Sequence, residues 1–554
     1  MTILSVNKKA FEKKFGKLTK ELEEKITQMG TPIEQVSDEE ISVEIFPNRP
    51  DLLAERNFLL AFSQFLGRRG PYSFKLNPAE KNYFVEIKKS VKKVRPHTVC
   101  MIVRGLNFSE EKIKEVIDVQ EKLHGSIGRK RKKLAIGVYP LEKISLPIRF
   151  VGKSPKEISF TPLESERELS ARKILKEHPT GIEYAHLLEG KEVYPLFIDA
   201  KDEVLSMPPI INSAKTGKVG LSTRDVFVEC SGENLFYLKK CLNILALVFS
   251  EMGGRIYQMR IKDSSGKSFL SPELSPEKMD FRLEDIEKTL GLPLSEKDAR
   301  RHLAKMGIGL LKSKKGFSAA VPPYRLDILH WVDLAEEIAI AYGYENFEAE
   351  IPKISTIAEE DFVERKKKAM AEILAGLGIL EVSSFHLTTK KNIRKMHFDF
   401  NGFLEVEDSK TERNVLRIDL LSGILQTFSE NSDAAYPQKV FEIGRVFCSD
   451  GAGRTETGVV EEEWLSVAFA DENARFTDMK QVADYFFKML GEKYELKPSE
   501  NGNFIPGRVG EIFFRGKSIG FIGELAPRVL RNWKVKMPVV AMEISIEDLV
   551  KVVA

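Results

Sequence analysis

Cysteine is scarce in this chain. Four residues, Cys100, Cys230, Cys241 and Cys448, stand among 554, and no two are spaced as CxxC. That spacing argues against a cysteine-built zinc site. So few thiols suit a reducing cytosol. Net charge is nearly absent: 85 Lys and Arg against 82 Asp and Glu leave +3. This balance excludes a protein that holds nucleic acid by overall charge, while allowing local basic patches on a neutral body. Long apolar runs are also missing. The longest, around Leu242 to Phe249, is too short to span a bilayer. Lys8, Lys9 and Glu12 interrupt any N-terminal signal pattern. No internal repeat or low-complexity tract is present. The expectation is a cytoplasmic protein with no membrane part.

What is present is globular. A hydrophobic fraction of 42% can fill several cores. The length predicts about three to four domains. Mixed helix and strand signals predict an α+β multidomain chain divided at 1–80, 81–265, 266–352 and 353–554. In the first segment, helix formers run from Asn7 to Met29 with a break at Gly16. A strand SVEIF (42–46) meets the turn PNRPD (47–51), and a helix follows from Leu52 to Leu66. The second segment mixes strands (99–106, 133–139, 195–200) with helices at Glu110 to His124 and Leu235 to Met252. The third reads strand, helix, short turn, helix, strand, then PPYRLDI and a helix from His330 to Tyr342, like a winged helix-turn-helix. The fourth ends in strand-like runs separated by turns, predicting an antiparallel sheet with flanking helices.

Several strings carry chemistry. PNRPDLL (47–53) brackets Asn48 and Arg49 between prolines and puts Asp51 in a helix's first turn, where the dipole favours it. HPTGIEYAHLL (178–188) has two histidines but no third ligand at matching spacing, so structural roles fit them. MPPIINSAKTG (207–217) and VFVECSGEN (226–234) end strands in small polar tips, at Asn212-Ser213 and at Ser231 to Asn234. Two such ends can line a pocket for a polar ligand, and ordinary loops look the same. Asp333, Glu336 and Glu337 share one helix face, and Asp327 precedes them. Four clustered carboxylates need cations. A hard ion such as Mg²⁺ suits them, and so does a helix cap beside a solvated acidic face. GRKRKK (128–133) is a phosphate contact, an import signal or a solvated loop.

Taken in order, these strings resemble the β subunits of phenylalanyl-tRNA synthetases of the archaeal and eukaryotic cytosolic type, over nearly the whole chain. PNRPDLL resembles that family's N-terminal signature. GRKRKKLAIGVY, HPTGIEYAHLL, YPLFIDA and MPPIINS resemble its editing domain. PPYRLDI, DLAEEIAIAYGYENF and FEIGRVF resemble the modules that follow. The resemblance implies an editing domain at 81–265 that hydrolyses mischarged Tyr-tRNA(Phe), with Asn212, Ser213, Thr216 and Asn234 in its pocket. It implies Mg²⁺ on Asp327, Asp333, Glu336 and Glu337, and a class II synthetase-like domain at 353–554 without catalytic residues. Consistent with the last, the final strand VVAMEISIEDLV carries Glu543 where a phosphate-holding arginine is expected. The implied partners are a catalytic α subunit in an (αβ)₂ heterotetramer, tRNA(Phe), and ATP and phenylalanine through the α subunit. An anticodon-binding module of the longer bacterial form is expected to be absent. One departure stands out: the family's Thr-Gly-Thr-Asp is Ser231-Gly232-Glu233-Asn234 here, so an uncharged amide replaces the carboxylate.

Two rivals stand beside this. Segment three suggests a winged-helix nucleic-acid-binding protein, which the near-zero net charge disfavours. Segment two alone suggests a free-standing editing hydrolase.

Overall fold

The computed structural model describes residues 2–552 except 315, 352–355, 452 and 454, and the side chains of 548, 551 and 552 are also left out. The chain separates into two compact units, Met1–Ile351 and Pro352–Ala554. The boundary expected at 352/353 falls outside the described residues. The three N-terminal sequence segments share the first unit, and one apolar cluster runs from Leu4 to Ala341.

The chain opens with a three-stranded antiparallel sheet of Thr2–Asn7, Glu40–Ile45 and Ile33–Val36. The Asn7 side chain accepts from Ala10 N and starts the helix Lys8–Phe15, which Gly16 ends at φ 95°. Thr19 caps the next helix, Lys20–Gln28. PNRPD folds differently from its expectation. Pro50–Leu53 is a short 3₁₀ turn, and the α-helix begins only at Glu55. Asp51 is buried and ion-paired to Arg49 at 2.9 Å, so a side chain rather than a helix dipole balances its charge.

An eleven-stranded sheet follows. Its functional end is built from β1 (His97–Arg104), helix α1 (Glu110–Gly125), β2 (Leu134–Pro140), β3 (Val204–Met207), β4 (Val226–Gly232) and helix α2 (Leu235–Glu251). β4 lies antiparallel between β1 and β2, so Glu229 sits opposite both Cys100 and Gly137. Side chains alternate along β4. Val226, Val228 and Cys230 join the core beneath α2, while Phe227 packs with Tyr139 on the other face. Glu229 and Ser231 share the Phe227 face. β2 ends the pairing path on one side, and β3 lies next to its other end. The sheet curls until the two meet, where the Tyr139 hydroxyl donates to Ser206 Oγ at 2.8 Å. Side chains, not a backbone ladder, close that seam.

The third segment forms a small antiparallel sheet of Glu277–Phe281, Gly316–Val321 and Gly309–Ser313. Helices Leu283–Leu290 and Glu296–Lys305 flank it, separated by a left-handed Gly291. Helix α3 (Trp331–Tyr342) follows.

The second unit is a seven-stranded, mostly antiparallel sheet with helices on both faces, as the sequence predicts. Helix α4 (Leu421–Glu430), β5 (Gln438–Ser449), β6 (Val459–Ala470) and β7 (Val539–Ser545) form its centre. Val540, Met542 and Ile544 face one core, and Val539 and Ala541 face the other. Glu543 shares the second face. It accepts from Leu420 N and Leu421 N, both at 2.8 Å, at the start of α4.

Candidate functional site

A cavity of ≈ 490 Å³ opens between α1, β2, β4 and the segment after β3. Glu229 forms its floor. This carboxyl is 1% exposed, and burial pushes it up to about 8 against the opposing charge of Arg95. Arg95 is itself pinned, donating from Nη2 to the Ser231 carbonyl at 2.6 Å and from Nε to Ser231 Oγ at 3.1 Å. The Tyr139 hydroxyl lies near three acceptors: Ser206 Oγ at 2.8 Å, Glu229 Oε1 at 3.3 Å and Asn212 Oδ1 at 3.4 Å. It can donate to only one at a time. Glu229 Oε2 makes no hydrogen bond of good geometry within the protein, although the neighbouring Ser231 hydroxyl partly offsets the effect of burial. A buried carboxyl oxygen left unpaired at a cavity floor is set up for a polar group of a ligand.

The rim is charged. His124 Nε2 accepts from Ile136 N at 2.9 Å, which places its ring proton on Nδ1, facing Glu121 Oε1 at 3.3 Å. Burial lowers the His124 pKa, so the ring is neutral. The His124 hydrogen bond, with Arg131 nearby, holds Glu121 down at about 2. Arg131 bridges the mouth. It donates to Ile210 O at 3.0 Å and Glu121 Oε1 at 2.9 Å, and stacks over Tyr184 at 4.4 Å.

Of the four residues expected in this pocket, the structure brings only Asn212 to the cavity wall. Ser213 is buried behind it, where its side chain caps the short helix Ala214–Gly217 and its N–H donates to Leu205 O at 2.8 Å. Thr216 is fully buried and donates to Val204 O at 3.0 Å, so it holds that helix rather than shaping a mouth. Asn234 is exposed and caps α2, accepting from Phe236 N at 2.9 Å. The strand turns into α2 there, which carries Asn234 away from the cavity. Glu229 and Ser206 are the polar groups that line the wall beside Asn212, with the Tyr139 hydroxyl within reach of all three. A signal for Glu229 was present: it alternates in phase with Phe227 inside an otherwise apolar strand. His178 and His186 have structural places, beside the Leu163 and Glu183 carbonyls.

The carboxylate cluster is also organised differently. Arg325, 1% exposed, donates to both oxygens of Asp327 at 2.8 and 2.7 Å, and to both of Glu337 at 3.0 and 2.7 Å. His330 is the N-cap of α3, and Asp333 closes its capping box, accepting from Leu329 N at 2.6 Å and His330 N at 2.7 Å. Glu336 is exposed, and its pKa is raised by burial and by Glu337, Asp333 and Asp327. A guanidinium thus supplies the cation these acids need, and His330 with Asp333, rather than Asp327, makes the cap. Among the described residues no three His, Cys, Asp or Glu groups gather to hold a metal. The four acids, as arranged, do not fit direct coordination of Mg²⁺.

The second unit holds a smaller cavity of ≈ 180 Å³ lined by Ser384, Arg417, Asp419 and Trp533 among others. Among the described residues its buried cation, Arg417, pairs with Glu442, and a half-buried second arginine, Arg413, stacks over Phe385. Asp419 receives His397 Nε2 at 2.7 Å, and burial with the Asp419 charge holds Glu543 up at about 8.

Comparison with known proteins places both units. Residues 279–344 match the tRNA synthetase B5 domain family, and residues 348–546 match the phenylalanyl tRNA synthetase beta chain CLM domain family. The chain is 36% identical over 510 residues to the phenylalanine–tRNA ligase beta subunit of Thermococcus sibiricus, covering 91% of this chain and 90% of that one. It is 34% identical over 530 residues to the beta subunit of Archaeoglobus fulgidus, covering 94% of each. An N-terminal fragment of the phenylalanyl-tRNA synthetase beta-subunit from Pyrococcus horikoshii superposes with a TM-score of 0.58 at 31% identity, over 62% of this chain and 99% of the fragment. The chain belongs to the family of phenylalanine–tRNA ligase β subunits.

Proposed function

We propose that this chain works beside a catalytic α subunit in an (αβ)₂ phenylalanine–tRNA ligase, and that its cavity hydrolyses Tyr-tRNA(Phe). The unpaired Glu229 Oε2 carries the editing assignment. Tyrosine differs from phenylalanine by one hydroxyl, and an apolar synthetic pocket rejects an added hydroxyl only about 10²-fold. A second cavity that offers a buried acceptor selects the wrong product instead. At neutral pH a carboxyl held up at about 8 is largely protonated and can donate to or accept from the tyrosyl hydroxyl.

No Ser-His nucleophile pair lines the walls, because His124 spends Nε2 on Ile136 N. The acyl ester is already reactive, so the step we assign is attack by water on its carbonyl carbon. The ester C–O bond breaks, the tRNA ribose hydroxyl leaves with a proton, and free tyrosine is released. The residues of this chain hold the acyl group. A hydroxyl on the terminal ribose can help activate the water.

The second unit we assign to architecture, with a class II-like sheet that does not activate phenylalanine. Holding ATP phosphates needs free cations, whereas Asp419, Glu442 and Glu543 cluster here, Arg417 is taken, and Arg413, stacked over Phe385, is left to act by itself. Co-expression with the α subunit should give a stable complex that charges tRNA(Phe) and clears Tyr-tRNA(Phe). Phenylalanyl-adenylate made by the purified chain alone would overturn the division of labour. Unimpaired Tyr-tRNA hydrolysis by a Glu229→Ala complex would overturn the cavity assignment.

A further inference from the structure

We propose that the basic loop at the cavity mouth is a phosphate clamp for single-stranded RNA, holding the 3′ strand whose terminal acyl group enters the cavity. The identity of that acyl group rests on the editing assignment above. The clamp itself is testable without it.

Four observations carry the inference. First, Arg129, Lys130 and Arg131 all take left-handed backbone conformations, with φ of 45°, 53° and 63°. Non-glycine residues enter this region singly and at a cost, so three in succession require a surrounding structure that fixes them. Second, that structure is present. Gly128 N donates to Leu123 O at 2.9 Å, Lys133 N to Gly128 O at 2.9 Å and Arg131 N to His124 O at 3.3 Å. A Cβ on Gly128 would stand 2.6 Å from His124 O, so only glycine lets the loop fold back on α1.

Third, Arg131 alone turns inward, tied to Ile210 and Glu121 at the mouth. Its neighbours Arg129, Lys130, Lys132 and Lys133 are exposed, and none forms an ion pair among the described residues. The whole chain carries only +3, so this loop concentrates positive charge that the rest of the molecule offsets. Four unbalanced positive charges on five residues repel one another unless an external anion joins them. Fourth, Lys218 adds a further exposed cation on the cavity wall. A rigid, positively charged lip beside a cavity with an apolar wall and a carboxyl floor matches a ligand with a charged backbone and an uncharged acyl end. A polynucleotide ester has that pattern.

The test uses the full chain and a fluorescein-labelled short single-stranded RNA, followed by anisotropy across a salt titration. The variant carries Arg129→Gln, Lys130→Gln, Lys132→Gln and Lys133→Gln together, which keeps the side-chain stems. We expect RNA affinity to fall roughly tenfold or more, and the slope of log K against log salt to shrink by about 0.7 for each phosphate no longer neutralised. A control carries Lys9→Gln, Lys13→Gln, Lys17→Gln and Lys20→Gln, an equal charge change on exposed N-terminal lysines. It should bind as the parent does. Wild-type affinity and slope in the loop variant overturn the clamp, as does an equal loss in the control, which would mean a diffuse field. Unchanged RNA binding with loss of α-subunit association also overturns it, in favour of an acidic protein contact. Thermal melting checks folding. If the quadruple variant melts early, the Lys130→Gln/Lys132→Gln pair replaces it, with about half the slope change expected.

The two assignments separate cleanly. Glu229→Ala should leave RNA affinity intact, and the loop variant should leave binding of free tyrosine, which has no phosphate, intact. Loop-dependent RNA binding without Tyr-tRNA hydrolysis keeps the clamp and removes the editing assignment. Hydrolysis of Tyr-tRNA unaffected by the loop variant at every salt concentration does the reverse.

Discussion

The Glu229 carboxyl meets the Tyr139 hydroxyl at 3.3 Å through one oxygen, while the other is buried without a hydrogen bond of good geometry at the cavity floor. Burial has raised its pKa from 4.5 to about 8. The folded chain therefore holds this proton more tightly than the unfolded chain between those values. Stability is lost as pH rises through that window, because the fold must then bury a charge. Glu229→Gln removes the titration. Its melting temperature should match the parent's near pH 4.5 and exceed it above pH 8. Equal melting curves at both ends of that range would show that the carboxyl is not held neutral.

Editing should separate Glu229 from Asn234. Glu229→Gln in the α–β complex should slow Tyr-tRNA hydrolysis by roughly 2–10-fold, the effect of altering one buried hydrogen bond of about 0.5–1.5 kcal/mol. Phenylalanine charging should be untouched. Asn234→Ala should leave both reactions at parental rates while lowering stability by about 0.5–2 kcal/mol, the usual effect of losing an N-cap. Paired hydrolysis assays and melts on one preparation check both.

Gly137 faces Glu229 across the β2–β4 pairing, and any Cβ there would collide with the Tyr139 ring and hydroxyl. Gly137→Ala should push the phenol from Ser206 and Asn212. We expect Tyr-tRNA hydrolysis to fall more steeply than in Glu229→Gln, with tRNA charging retained. Parental hydrolysis in Gly137→Ala would show that the phenol position is unimportant.

Arg325 neutralises Asp327 and Glu337 inside the protein. Arg325→Met should destabilise the first unit by about 3–5 kcal/mol, because it leaves two buried carboxylates without a cation. Mn²⁺, standing in for Mg²⁺, should give no stoichiometric binding to the parent chain alone. Tight Mn²⁺ binding that disappears in Glu336→Gln would mean that Arg325 releases a carboxylate to an ion.

Much of the fold is legible in the sequence, and less of the site. Gly16, Gly67 and the Gly253-Gly254 pair punctuate helices close to where they end, since few other residues relieve a helix terminus so readily. The terminal strands of the second unit follow from their alternation. The pocket is harder to place because polar residues at strand ends draw attention, yet Ser213 and Asn234 are there to cap helices. Glu229 lies mid-strand, where a charge looks like an exception until its phase with Phe227 is counted. The spacing of the acids near α3 leaves open a bound ion or a helix cap beside a solvated face, and it is the family resemblance that points to the ion. Arg325 stands two residues before Asp327 in plain view, but only the three-dimensional turn shows that it reaches Glu337 as well.

The seam between β2 and β3 has a further consequence. Around most of this sheet, widening it would break several backbone hydrogen bonds at once. At the seam the contacts are made by side chains, Tyr139 to Ser206 and Asn212 and Arg131 to the Ile210 carbonyl. The pocket therefore sits beside a joint that no backbone ladder holds. A bulky acyl group can wedge that joint open by swapping one hydroxyl contact for another, and the joint re-forms when the product leaves. Tyrosine, which carries its own hydroxyl, can replace the bond it breaks; phenylalanine cannot. Discrimination would then reside in how easily the joint parts as well as in what lines it.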